Sequence, residues 1–142
     1  MSKGHSNQLV KQVGEHLVCA ELGRMGLHAA PFAGNVRDVD VVASDGVRAL
    51  HLQVKTARWG KPDKHAWNLT GCFLDITTSK TTQKQTIKMK DLGSHGALLY
   101  VLVMLKPKEG EGCDTFYVLS GTELQRVCHD TYHEYMKPRG YV

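Results

Sequence analysis

The sequence predicts an α/β domain, one mixed β-sheet with helices packed against it. Three observations carry that expectation. The chain opens on a helical apolar repeat, runs through several short β-rich segments, and closes on a capped helical segment. Elements in that order bury their apolar faces by layering helices on a single sheet. At 142 residues the chain fits one domain, residues 1–142, and can hold a core without disulfide staples.

The first helix is expected over about Asn7–Met25. Leu9, Val13, Leu17 and Ala20 recur at helical spacing and define its apolar face, Ser6 is the candidate N-cap, and Gly26 stops it. His28–Asn35 reads as a short strand or loop. Asp38–Ala43 and Ala49–Thr56 then read as a hairpin closed by Asp45-Gly46, a dipeptide suited to tight turns. Ala66–Ile76 is expected to be strand, and the polar Thr77–Lys90 a loop with a short helix. Ala97–Leu105 is almost wholly apolar, as a central strand would be. Thr115–Leu119 is the last strand, and Thr122 is placed to cap a final helix over about Glu123–Tyr135, ended by Pro138 and Gly140.

Composition narrows the function classes. A hydrophobic fraction of 42% and a charged fraction of 23% are those of a soluble globular protein. No run approaches the roughly 18 apolar residues of a membrane span, and the polar MSKGHSNQLVKQ start has no signal-peptide core. A cytoplasmic protein with no membrane partner is expected. The four cysteines, at 19, 72, 113 and 128, form no CxxC pair and read as free thiols. Cys113, Cys128, His129 and His133 offer zinc-type donors, but adjacent residues 128 and 129 point apart on a helix, which disfavours that site. No glycine-rich phosphate loop is present, so no organic cofactor is expected. The formal charge of +4 is compatible with a polyanionic partner.

The chemistry concentrates in the first 56 residues. Glu15 lies on the helix, Asp40 in the first hairpin strand, and Gln53 and Lys55 in the second, where side-chain alternation gives the latter two a common face. With the turn at Asp45-Gly46, Asp40 comes opposite Gln53. Phosphodiester hydrolysis calls for these types. A hard cation such as Mg²⁺ or Mn²⁺ takes oxygen ligands from Glu15, Asp40 and Gln53, and Lys55 orients or deprotonates a water or offsets phosphate charge. Glu21 is a rival for the helix acid, and Asp38 a rival or companion of Asp40.

The runs GEHLVCAELGRMGL, VRDVDVVASDG and LHLQVKT together resemble the PD-(D/E)xK nucleases, in particular small archaeal Holliday-junction resolvases and homing-endonuclease-like members with a Q-x-K motif. The resemblance spans about residues 14–56. It implies a restriction endonuclease-like core, a mixed central β-sheet flanked by helices, and metal-dependent DNA cleavage by a homodimer. The motif's helix glutamate falls on Glu15, its strand aspartate on Asp40, its third-motif acid on Gln53 and its lysine on Lys55. Val39 stands where the family has proline. Gln53 stands where it has an acid, which removes one negative charge. Arg37, Arg58, Lys61 and Lys64, with Lys80, Lys84, Lys88 and Lys90, are candidate phosphate contacts, and Trp59 or Trp67 a base-stacking surface. The competing expectation is a catalytically inactive nuclease-fold module that binds DNA or a protein.

Overall fold

A computed structural model of the chain describes residues 3–33, 38–58, 67–106 and 112–142. Helix α1 (Lys3–Arg24) begins earlier than the Ser6 cap anticipated. Its buried stripe is also rotated from the one expected. Val10, Gly14 and Val18 are buried, whereas Leu9 and Val13 are 49% and 45% exposed. The reason is Gly14. A glycine adds nothing to an apolar count, yet it marks the line on which the helix comes closest to the sheet. The helix ends as foreseen at Gly26, whose φ of 86° suits glycine. The Leu27 N–H donates to Leu22 O at 3.0 Å and the Gly26 N–H to Gly23 O at 3.0 Å, the two bonds of a Schellman cap.

Strands β1 (His28–Pro31), β2 (Val41–Ser44) and β3 (Ala49–Arg58) form an antiparallel run. Pro31 is accommodated because β1 is an edge strand. The β2–β3 register pairs Ser44 with Ala49. In the intervening turn the Asp45 carboxylate accepts from the Val47 and Arg48 N–H groups at 2.9 and 2.7 Å, and Gly46 takes φ 93°. The hairpin is as expected, but β2 starts three residues later than Asp38, which itself sits at φ 70°, outside the strand.

Strand β6 (Leu99–Leu105) lies between β3 and β7 (Thr115–Ser120), parallel to β3, giving a mixed five-stranded sheet in the order β1-β2-β3-β6-β7. Val18 of α1 packs on Val41, Ala43, Leu52, Val54, Val101 and Val103 of this sheet. A parallel pair needs a long crossover, and here the crossover carries further structure. By internal packing the chain divides into two compact units, Met1–Trp67 with Leu98–Val118, and Asn68–Ala97 with Leu119–Val142.

The second unit corrects three expectations. Thr70–Phe73 is a helical turn, α2, with strand only from Leu74, and the polar stretch after it is half of a hairpin, β4 (Leu74–Thr78) with β5 (Gln85–Met89). Ile76 pairs with Ile87 in that hairpin. The other positions are mostly threonine, glutamine and lysine, so the alternation is too weak to distinguish it from a loop. Helix α3 (Gly121–Met136) is capped by Ser120, not Thr122. Ser120 and Glu123 form a reciprocal capping box, while the Thr122 hydroxyl donates to Gly96 O at 3.1 Å. Gln125, 7% exposed, donates to Phe73 O and Lys90 O at 3.0 and 2.7 Å and fixes α3 to the ends of the hairpin. A 3-10 turn at Lys137–Arg139 and Gly140, at φ 69°, close the helix as expected.

All four cysteines are unbonded, and burial raises the Cys19 and Cys128 thiols above the usual range. Among the described residues no helix is long and apolar enough to cross a membrane.

Two turns carry a pH signature. The Ser120 N–H, aided by its hydroxyl, lowers Glu123, and the Arg48 and Val47 N–H groups lower Asp45. A carboxyl lowered in the folded state stabilises above its unfolded value, and that contribution disappears as pH falls through the folded value. Thermal melts should therefore lose stability between about pH 5 and pH 3. Glu123→Ala should lower the melting temperature at pH 7 and leave it nearly unchanged at pH 3.

Candidate active site

Asp40 occupies the point where β2 and β3 part. The ladder ends at Val41 opposite Leu52, so one further step of the register brings Asp40 opposite Gln53. Its backbone is pinned from both sides. The Asp40 N–H donates to Leu52 O at 2.9 Å, and its carbonyl accepts from Phe32 N–H at 2.8 Å. The N–H of Val54 then finds no continuing strand. Asp40 Oδ2 takes the place of the missing backbone acceptor, at 2.9 Å. An acceptor at this position satisfies a donor that would otherwise be left unpaired in the sheet. The carboxylate is 12% exposed.

Glu15 arrives from α1. Gly14 seats the helix directly on the Thr56 side chain of β3, close enough that any β-carbon at position 14 would collide with it. The residue after each buried position, Lys11 after Val10 and Glu15 after Gly14, is thereby turned toward Asp40. Lys11 Nζ lies 3.0 Å from Asp40 Oδ1 and 3.6 Å from Glu15 Oε1. One ammonium thus bridges two carboxylates that are 25 residues apart in the chain. The Glu15 side chain is 15% exposed, that of Lys11 56%. The hydrogen bond to Asp40, with the charges of Asp40 and Glu15, raises Lys11 above the ordinary lysine value despite some burial. Lys11 was not among the residues singled out from sequence. Its i,i+4 spacing to Glu15 was the available signal, and that spacing is common on solvated helices.

Gln53 and Lys55 flank Val54, the residue bonded to Asp40. Strand alternation turns Leu52, Val54 and Thr56 toward α1 and leaves Gln53 and Lys55 half-buried on the opposite face, the shared face expected of them. Neither side chain has a hydrogen-bond or ion-pair partner among the described residues. Glu15 and Asp40 are thus brought together through Lys11, and Gln53 and Lys55 border them through the strand backbone. The rival Glu21 pairs with Arg24 instead.

Of the proposed phosphate contacts, Arg58 is exposed at the end of β3. Arg37, Lys61 and Lys64 lie outside the described residues, as does Trp59. Lys80, Lys84 and Lys88 are on or beside the β4–β5 hairpin of the second unit, and Lys90 is engaged by Gly71 O at 2.8 Å and Asp75 at 3.8 Å. Trp67 is used structurally. Its indole N–H donates to Lys55 O at 3.0 Å, and its ring meets Tyr117 edge-on at 6.0 Å.

Among the described residues no three His, Cys, Asp or Glu side chains cluster as a metal site. This leaves the zinc reading of Cys113, Cys128, His129 and His133 without support. His129 instead pairs with Asp130 and stacks on His133 at 6.2 Å. The Glu15–Asp40 site offers two carboxylates, and Gln53 stands opposite Asp40 in the strand register, on the face of β3 turned away from α1. Such hard oxygen donors suit Mg²⁺ or Mn²⁺ completed by water. That a cation, the Lys11 ammonium, already bridges the two carboxylates fits the same donor set.

No protein-family model matches this sequence, and no curated protein matches it closely. A solved structure does. The bacterial homing endonuclease I-Ssp6803I superposes with a TM-score of 0.54 at 15% identity, over 85% of this chain and 73% of that one. The chain shares that protein's fold. The mixed sheet and its packed helix, expected from sequence as a restriction endonuclease-like core, are therefore those of a nuclease-like fold.

The seat of α1 is testable. Gly14→Ala gains about 1 kcal/mol of helix propensity, but overpacking against Thr56 costs about 1–3 kcal/mol or more, so the overlap should win. Chemical denaturation should show Gly14→Ala destabilised by about 1–2 kcal/mol. Part of that loss should be recovered when Thr56→Ala is added, which also removes a buried hydroxyl that lacks a hydrogen-bond partner among the described residues.

Proposed function

We propose that this protein is a divalent-metal-dependent DNA endonuclease, with Glu15, Asp40 and Gln53 as ligands of one Mg²⁺ or Mn²⁺ and Lys55 as the residue that manages the attacking water. The observation that carries this reading is the meeting of Glu15 and Asp40 around a single cationic centre, on the fold of a homing endonuclease. When bound, the metal supplies charge for the phosphate oxygens and lowers the pKa of a bound water.

The remaining work falls to the chain. Asp40 is held rigid by Val54 N–H, which fixes one carboxylate oxygen and leaves the other directed at the site. Glu15 adds the second negative charge from α1. Gln53 contributes a neutral oxygen, so the site carries two carboxylate charges rather than three. Lys55 has no competing partner among the described residues, and its ammonium is available to orient the water or to offset charge on the scissile phosphate. Arg58, at the end of the same strand, is suited to a backbone phosphate, as are Arg37, Lys61 and Lys64. Duplex DNA presents two strands of opposite polarity, and a two-fold homodimer would bring one site to each.

The test is cleavage of plasmid, single-stranded and four-way-junction DNA with Mg²⁺, Mn²⁺ or EDTA. Cutting should need the metal. It should fall by at least about 10²-fold in Lys55→Ala and in Asp40→Asn, whose amide oxygen can still accept from Val54 N–H. Wild-type failure on every DNA would overturn the enzyme reading. The replacement of an acid by Gln53 favours the second reading, an inactive module. That reading predicts DNA binding that is indifferent to EDTA and unchanged in Lys55→Ala.

Gln53→Glu restores the third negative charge. It should tighten Mn²⁺ binding by about tenfold or more in a calorimetric titration. An unchanged affinity would remove Gln53 from the ligand set.

A further inference from the structure

The trio at the heart of the site consists of two carboxylates and one ammonium, and its ammonium has no assigned task. Lys11 Nζ is 3.0 Å from Asp40 Oδ1 and 3.6 Å from Glu15 Oε1, and these two oxygens are its only ion-pair partners among the described residues. The carboxylates are largely covered, whereas the lysine side chain is more than half exposed. Its flexible stem can therefore leave without disturbing packing. An ammonium has three donors and no acceptor, so it cannot share a metal's coordination shell. Mg²⁺ needs its oxygens at about 2.0–2.1 Å. A metal bound by both Glu15 and Asp40 would compete with an ammonium bridging the same two oxygens, for space and for their negative charge.

We propose that Lys11 is a resident counter-ion that competes with the metal: it joins Glu15 to Asp40 in the metal-free protein and must swing out when a divalent cation is bound. This rests on Glu15 and Asp40 being the metal ligands, and it adds a residue that sets how tightly the metal is held. Removing the competing charge strengthens metal binding, although it weakens the metal-free fold. A lysine with a merely structural role would have the opposite effect on the metal, because loss of the bridge would leave the two ligands less well placed.

The experiment is a calorimetric titration of the 142-residue chain with Mn²⁺, comparing wild type with Lys11→Met, Lys11→Gln and Lys11→Arg, each first checked for folding by circular dichroism. Lys11→Met and Lys11→Gln should bind Mn²⁺ on the order of tenfold more tightly. Lys11→Arg, which keeps the charge, should stay near wild type. Equal or weaker binding by folded Lys11→Met or Lys11→Gln would overturn the proposal. A measurement on the wild type alone covers the case in which the variants do not fold. Amine labelling read by mass spectrometry should show Lys11 reacting faster at saturating Mn²⁺, and an unchanged or slower rate would also overturn it. Tighter Mn²⁺ binding by Lys11→Met with no DNA cut by any form leaves the competition standing and removes the endonuclease reading. Metal-dependent cutting by wild type with unchanged affinity in Lys11→Met does the reverse.

Discussion

The close approach of Gly14 to Thr56 sets the geometry on which the site depends. A helix resting on a sheet through bulky side chains stands well off it, and the residues beside its buried stripe then project into solvent. With glycine at the contact, α1 sits low on β3. Lys11 and Glu15, at the flank of the stripe, come within ion-pair reach of Asp40 at the parting of the strands. The fully buried Val41, Val54 and Val103 hold the sheet against that helix. The price of this seat is the Thr56 hydroxyl, buried with no hydrogen-bond partner among the described residues.

Much of the fold was legible because its central elements announce themselves locally. Strand β6 is an apolar run too short for a helix of its hydrophobicity, and it is flanked in the sheet by β3 and β7. The Asp45-Gly46 turn fixes the β2–β3 register, and that register alone carries Asp40 to Gln53. What failed to show were features set by tertiary packing. The β4–β5 hairpin is mostly polar and largely exposed, so its sequence lacks the alternation of a half-buried sheet. Helix α1 hid its true face because a side-chain census cannot score a glycine. The capping of α3 was misplaced by two residues because Ser120 and Thr122 are both competent caps. The reciprocal Ser120–Glu123 spacing was the better guide.

The candidate site was legible in its residue types and spacing and less so in its electrostatics. Glu15 and Asp40 come together across the Lys11 ammonium. Gln53 and Lys55 share the face that strand alternation assigned them. The helix lysine between the acids escaped notice because Lys-x-x-x-Glu pairs are ordinary on exposed helices. Only the descent of α1 onto Thr56 turns this one into a bridge to a residue 29 positions further on.

That bridge bears on how two largely covered carboxylates can sit side by side. Two carboxylates at 15% and 12% exposure, brought side by side with nothing between them, would oppose folding through desolvation and mutual repulsion. Many small proteins that meet this problem with metal alone fold only when the metal is present. Here Val54 N–H and the Lys11 ammonium supply one neutral and one charged donor to Asp40, and the same ammonium serves Glu15. The trio carries a net charge of one negative unit, the arithmetic of two carboxylates and one ammonium. Gln53 leaves that balance unchanged, whereas an acid in its place would add a third carboxylate that the single lysine could not offset. The neutral Gln53 and the Lys11 ammonium are therefore two parts of one charge balance around Asp40 and Glu15.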